Sequence, residues 1–254
     1  MSIIDAYDSS TEAVLQPGDI AAAVPGFPEV AVAAFQLGAV DALVTARNLA
    51  AIDEFRVGRP VPIYAAGIGD GAAARDAAVY WTPLGGPLAA VAMEEIIAKG
   101  ARKFVFFGSC GVLDSALEAG HFIVPTYAYR DEGTSYHYVP AGDWMRVETA
   151  GRVEEIFREL GVNFVSGRVW TTDALYRETR GRARKRREDG CIAVDMECAS
   201  LAAVSAHRGV PVYHFLYAED SLDGQEWDRR TMGSVASDAH GRYMDLALEI
   251  AARV

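Results

Sequence analysis

Apolar and polar positions along the chain follow two periods. Short continuous apolar runs read as strands covered on both faces: Ala77–Thr82 (AAVYWT), Lys103–Gly108 (KFVFFG) and Val212–Ala218 (VYHFLYA). His121–Tyr129, Phe164–Thr171 and the short Ile192–Val194 read the same way, with Pro125 marking an edge or a bulge. Between them, Leu88–Lys99, Val147–Leu160, Met196–His207 and Thr231–Val254 have helical spacing, and Gly100 is a helix stop. The Ala77–Thr82 strand, the Leu88–Lys99 helix and the Lys103–Gly108 strand form a βαβ unit, which predicts parallel strands. Strands interleaved with helices argue for an α/β sandwich. No repeat, low-complexity block or Ser/Gly linker divides the chain, so 1–254 reads as one domain.

Composition narrows the partners. The 254 residues are 51% hydrophobic and 23% charged, an ordinary globular balance. The formal net charge is −11, which argues against a nucleic-acid or anionic-membrane partner. A bound phosphate would have to be held locally, against the overall field. The N-terminal MSIIDAYDSS has neither a basic nor an apolar signal-peptide region. The apolar stretch 20–40 is broken by Pro25, Pro28 and Glu29 and does not read as a membrane span. Cys110, Cys191 and Cys198 lack metal-site spacing and read as reduced, buried thiols of a cytoplasmic protein, with no metal expected. The basic run Arg180–Arg187 (RGRARKRR) reads first as a solvated helix face, with a local anion or subunit contact as the alternative.

Candidate chemistry gathers at strand ends, where α/β proteins bind ligands. Pro83-Leu84-Gly85-Gly86-Pro87 enters a helix, and Gly108-Ser109-Cys110-Gly111 leaves what reads as an adjacent parallel strand. Glycines there allow a nest of free N–H groups that, with the Ser109 hydroxyl, suits an oxyanion; a tight turn explains either loop equally well. Asp195 and Glu197 sit at a helix start, where they serve either the helix dipole or the vicinal hydroxyls of a sugar. Asp220 ends an apolar strand, a setting that raises a carboxyl pKa and makes a candidate general acid, or a capping residue.

Together these segments resemble the nucleoside phosphorylase family, which holds bacterial purine nucleoside phosphorylases, uridine phosphorylases and methylthioadenosine-type nucleosidases. From Pro83 to Pro140, LGGPLAAVAMEEI, GSCGVLD and GHFIVPTYAYRDEGTSYHYVP resemble the uridine enzymes without a gap. From Asp173 to Asp220, DALY, VDMECAS and AED resemble the purine enzymes in spacing, and Pro17-Gly18-Asp19 resembles the family's early PGD loop. The resemblance implies a three-layer α/β/α sandwich around a central mixed sheet. It also implies cleavage of an N-glycosidic bond with inorganic phosphate as co-substrate and no cofactor.

By position, the resemblance implies that Glu197 holds ribose hydroxyls and that Met196 packs on the sugar. Gly18, Gly108 and Ser109 would contact phosphate. Cys110, Gly111, Leu175 and Tyr176 would line the base pocket, and Asp220 would protonate the purine N7. Asp220 tilts the substrate towards a purine nucleoside, whereas Tyr136-His137-Tyr138 looks more like the uridine enzymes. Arg229 and Arg230 are candidate basic partners of the acid. Family enzymes are mostly oligomers whose sites a neighbour completes, so a hexamer or a dimer is expected.

Two phosphate arginines of the family are replaced, by Ala22 and Phe106. Charged hydrogen bonds contribute about 1.5–3 kcal/mol each, so their loss weakens phosphate binding unless Arg47, Arg56, Arg59, Arg130 or Arg177 substitutes. A nucleoside phosphorylase is therefore the first reading, a nucleosidase using water the second, and a catalytically idle nucleoside-binding sensor the third.

Overall fold

Some strands, such as Val30–Ala34 and Val212–Ser221, are built from residues too apolar to leave either face in water. The computed structural model describes residues 2–10, 13–224, 226–233 and 237–254. In chain order the elements begin with α1 (Pro17–Ile20), β1 (Val30–Ala34), α2 (Leu37–Arg47), β2 (Ala51–Val57), β3 (Arg59–Ile68) and β4 (Arg75–Trp81). Then come α3 (Gly86–Lys99), β5 (Lys103–Val112), β6 (Phe122–Asp131), α4 (Ser135–Tyr138), β7 (Trp144–Arg146) and α5 (Ala150–Glu159). The last are β8 (Phe164–Thr172), α6 (Arg180–Glu188), β9 (Cys191–Asp195), α7 (Cys198–Arg208), β10 (Val212–Ser221) and α8 (Ser237–Arg253).

The ten strands of the described residues join one mixed sheet, in the order β10-β6-β8-β9-β5-β1-β4-β3-β2 with β7 on β6. Because β10 also pairs with β5, the strands β5, β10, β6, β8 and β9 close a ring, and β1, β4, β3 and β2 extend from it. Alternation along the strands feeds two cores. Val30, Val32, Val79, Val105 and Phe107 join the core under α2, α5 and α8. Ala31, Ala33, Tyr80, Phe104 and Phe106 join the core under α3 and α7. This is the expected α/β architecture with helices on both faces of a central mixed sheet.

The predicted elements are present, with ends shifted by a few residues. Gly100 stops α3 with φ of +142°, a conformation that glycine tolerates. Pro125 marks a bulge rather than an edge: the β6–β8 register shifts between Pro125 and Tyr127. The predicted closing helix begins at Ser237, Thr231–Gly233 forms a turn, and positions 234–236 lie outside the described residues. The two glycine segments are not on adjacent strands. β1 lies between β4 and β5, parallel to both. Nor is Gly108–Gly111 a loop, since β5 continues to Val112 paired with β10, and neither glycine has a positive φ. The three thiols are free and buried. No described helix is long and apolar enough to cross a membrane.

Candidate functional site

The carboxyl ends of β5, β9 and β10 converge on one cavity of about 610 Å³. That is within the usual 300–1,000 Å³ of small-molecule sites. Ser109, Cys110 and Gly111 line it from β5; Val194, Asp195, Met196 and Glu197 from the β9–α7 junction; Glu219 and Asp220 from β10. Leu175 and Tyr176, in the 3₁₀ turn Leu175–Arg177, form an exposed rim. Residues that the sequence places far apart thus meet in one site.

Asp195 and Glu197 divide the work. The Asp195 carboxylate accepts from the Thr171 hydroxyl at 2.7 Å and from the N–H groups of Glu197 and Cys198 at 3.0 and 2.6 Å. It caps α7, the structural alternative for this pair. Glu197 instead crosses to the Pro83–Pro87 loop and accepts the Gly85 N–H at 2.6 Å. Gly85, with φ of +95°, is held by that bond, so its N–H is already committed to a carboxylate rather than free for an anion. Glu197 is almost wholly buried, and among the described residues no cation acts on it. Burial, and then the Asp195 charge, push its pKa above the carboxylate range.

A bulge explains how consecutive residues of β10 both face the cavity. Period-2 alternation sends neighbours to opposite faces, but the register with β5 slips between Ala218 and Asp220. The extra residue is Glu219, so Glu219 and Asp220 share the cavity wall. Burial raises the Asp220 pKa, and its Oδ2 accepts the Trp227 indole N–H at 2.6 Å. Of the candidate basic partners, Arg230 only opposes that rise through its charge, while its own side chain bonds Asp228 and the Leu117 carbonyl. Arg229 bonds the Met232 carbonyl.

Ser109 receives the Gln36 amide at 3.4 Å and donates to the Glu219 carboxylate. Cys110 is buried, with its thiol 3.5 Å from the Tyr217 carbonyl. Gly18 and Gly108 do not line the cavity. Gly18 lies in α1, and Gly108 is in van der Waals range of Phe35: a Cβ there would come within 2.9 Å of that ring. Close packing, not anion binding, accounts for glycine at 108. Several lining residues had no place among the expected site residues, Glu178, Trp227 and Glu226 among them. Glu178 is pushed up to about 7, mainly by burial and then by the Asp220 charge; Trp227 and Glu226 come from the segment after β10. Only Glu178's place beside the Leu175–Tyr176 motif could have flagged it in sequence.

Among the described residues, the wall carries six carboxylates (Glu178, Asp195, Glu197, Glu219, Asp220, Glu226) and one arginine, Arg180. None of the arginines expected to substitute for the lost pair lines it. Arg47 bonds the Gly67 carbonyl, Arg56 bonds Glu54, Arg59 lies over Trp81, and Arg130 bonds Ser135 and the Pro140 carbonyl. Arg177 stays outside the lining, Phe106 is fully buried and Ala22 is exposed. Most of the rest of the basic run pairs within the fold: Arg182 with Asp131, Lys185 and Arg186 with Asp189, and Arg187 with Asp223, while Arg184 is exposed.

Comparison with known proteins agrees with this geometry. The chain is 31% identical to a guanosine phosphorylase of Halorubrum lacusprofundi over 142 residues, covering 53% of this chain and 57% of that one. It is 38% identical to a uridine phosphorylase of Thermococcus kodakarensis over 99 residues, covering 37% and 35%. The chain thus spans about half or less of the length of these relatives. In structure it resembles a purine nucleoside phosphorylase of Toxoplasma gondii, with a TM-score of 0.72 and 19% identity over 90% of this chain and 92% of that one. It also resembles a 5'-methylthioadenosine/S-adenosyl homocysteine nucleosidase of Campylobacter jejuni, with a TM-score of 0.69 and 18% identity over 89% and 100%. A family model described as the phosphorylase superfamily matches residues 28–252, and the chain belongs to that superfamily.

Proposed function

We propose that this chain cleaves the N-glycosidic bond of a purine nucleoside, with inorganic phosphate as nucleophile, releasing free base and ribose 1-phosphate. One observation carries the reading. Asp220, a carboxyl biased towards its protonated form, and the Met196–Glu197 pair share one nucleoside-sized cavity. As the C1′–N9 bond breaks, its electron pair moves into the base and N7 takes the Asp220 proton. A phosphate oxygen bonds to C1′, and the Asp220 carboxylate is reprotonated from solvent. Glu197 accepts from ribose hydroxyls, Met196 packs on the sugar, and Cys110, Gly111, Leu175 and Tyr176 surround the base. Ser109 is the phosphate contact of this reading; the positions of Gly18 and Gly108 give them no part in it.

Phosphorolysis is supported by the names of the curated relatives, which include guanosine, uridine and purine nucleoside phosphorylases. It requires cations besides Arg180, and a homo-oligomer supplies a route to them. Leu84 lines the cavity, and the outer face of α3 continues it with exposed Leu88 and Val91, a surface suited to a second copy. The buried free thiols fit a cytoplasmic enzyme.

Water as nucleophile is the second reading, and the acidic wall favours it. Ser109 already donates to Glu219, so a phosphate placed there meets a carboxylate. Incubation with inosine, guanosine, adenosine and uridine, with and without phosphate, tests both by detecting base, ribose and ribose 1-phosphate. Phosphate-dependent release of base with ribose 1-phosphate is the expected result. Equal release without phosphate, with free ribose, overturns phosphorolysis in favour of hydrolysis. Nucleoside binding without turnover overturns both and leaves a sensor.

A further inference from the structure

We infer that Trp227 is a positioning residue that decides which oxygen of Asp220 carries the transferable proton; its catalytic part rests on Asp220 being the acid. A protonated carboxyl has one O–H and one carbonyl-like oxygen. The Trp227 indole can only donate, and its N–H lies 2.6 Å from Oδ2. Oδ2 is therefore the acceptor, and the proton belongs on Oδ1. Oδ1 faces the backbone of Gly111, where a Cβ would lie 3.1 Å from it and 2.5 Å from the Leu222 methyl. Glycine at 111 leaves that oxygen open beside the cavity, where N7 of a purine would arrive.

Trp227 is brought there by the chain itself. Ser221 and Asp228 form an antiparallel bridge, with N–H···O bonds of 2.9 and 3.1 Å in the two directions. The bridge folds the segment after β10 back over its own end. The indole is otherwise more than half exposed, so core packing does not explain its orientation. A donor on the ionised form also favours ionisation, so the indole lowers the proton affinity that burial raises. The other charges that bear on Asp220 are Glu219 on its own strand, Glu178 across the cavity, and Asp228 and Arg230 beyond Trp227.

Trp227→Phe keeps the ring and removes the donor. The alkaline limb of purine nucleoside cleavage is expected to move up by about one pH unit, because Asp220 holds its proton longer. Its kcat falls several-fold, because the proton is no longer confined to Oδ1. Cleavage of an N7-methylated purine nucleoside, whose base already carries the charge that protonation supplies, is expected to stay unchanged. An unmoved limb, or equal loss on both substrates, overturns the assignment. A second readout needs no turnover. In ¹H–¹⁵N spectra of the free protein, the Trp227 indole resonance, identified by its loss in Trp227→Phe, should titrate in the wild type and not in Asp220→Asn. A resonance that ignores pH, or titrates identically in both, overturns the pairing even if no nucleoside is cleaved.

Discussion

Replacing Glu197 by Gln should stabilise the folded protein at alkaline pH while weakening its proposed hold on ribose. The Glu197 carboxyl is buried, accepts the Gly85 N–H at 2.6 Å and the Met196 N–H, and lies beside the buried Asp195. Asp195 is better served, with three donors. In the unfolded chain Glu197 ionises near its ordinary 4.5; in the folded chain its pKa is raised. The native state therefore keeps a proton that the unfolded state has lost. The stability this provides is complete below pH 4.5 and declines as pH rises to the folded pKa, by about 1.4 kcal/mol per unit.

Over two or more units the loss is about 3 kcal/mol, against a total stability of about 5–15 kcal/mol. Gln is isosteric, keeps an oxygen for the Gly85 N–H and never ionises. It should leave stability nearly unchanged at pH 4 and raise it by about 3 kcal/mol at pH 8.5. For a chain of this size, that is about 6–12 °C in Tm. Thermal and urea unfolding at both pH values measure the difference. A variant no more stable than wild type at pH 8.5, or equally stabilised at both pH values, would refute the argument.

Two further substitutions test other parts of the structure. Asp220→Asn keeps an acceptor for the Trp227 N–H but has no proton to give. Purine nucleoside turnover should fall at least about 100-fold while nucleoside affinity by calorimetry is retained, and unchanged turnover would remove Asp220 from the reaction. His214, on β10, is buried with neither ring nitrogen hydrogen-bonded among the described residues, and burial pushes its pKa down to about 3. Its depressed pKa means that stability present above pH 6.5 drains away towards pH 3, by about 1.4 kcal/mol per unit. His214→Leu should flatten that slope in urea midpoints measured at pH 7 and pH 5; an unchanged slope would contradict it.

Much of the site was legible because its motifs sit at strand ends, and strand ends share an edge in α/β folds. Ser109, Cys110, Gly111, Leu175, Tyr176, Met196, Glu197 and Asp220 all line the one cavity. Gly108 misled because glycine serves close packing as readily as anion binding, and here the neighbour is Phe35. Strand β1 (VAVAA) lies inside the apolar stretch 20–40, which the sequence reading sets only against a membrane span and not against a buried strand. Its place between β4 and β5 depends on pairings that no local pattern encodes.

By itself, the sequence determined the alternation of strands and helices, and its resemblance to a known family pointed to many of the residues that meet at the cavity. The alternation follows from periodicity and turn chemistry, which are local; the site residues follow from the order and spacing of the motifs that carry the resemblance. The tertiary structure alone decided how charge is arranged there. A one-residue bulge turned Glu219 inward beside Asp220, and a two-bond bridge set the Trp227 indole on Oδ2. The substitute arginines were committed elsewhere, leaving Arg180 among six carboxylates on the described cavity wall. The net charge of −11 counts charges but cannot locate them, and Coulomb interactions depend on separation and burial, which only the folded chain sets.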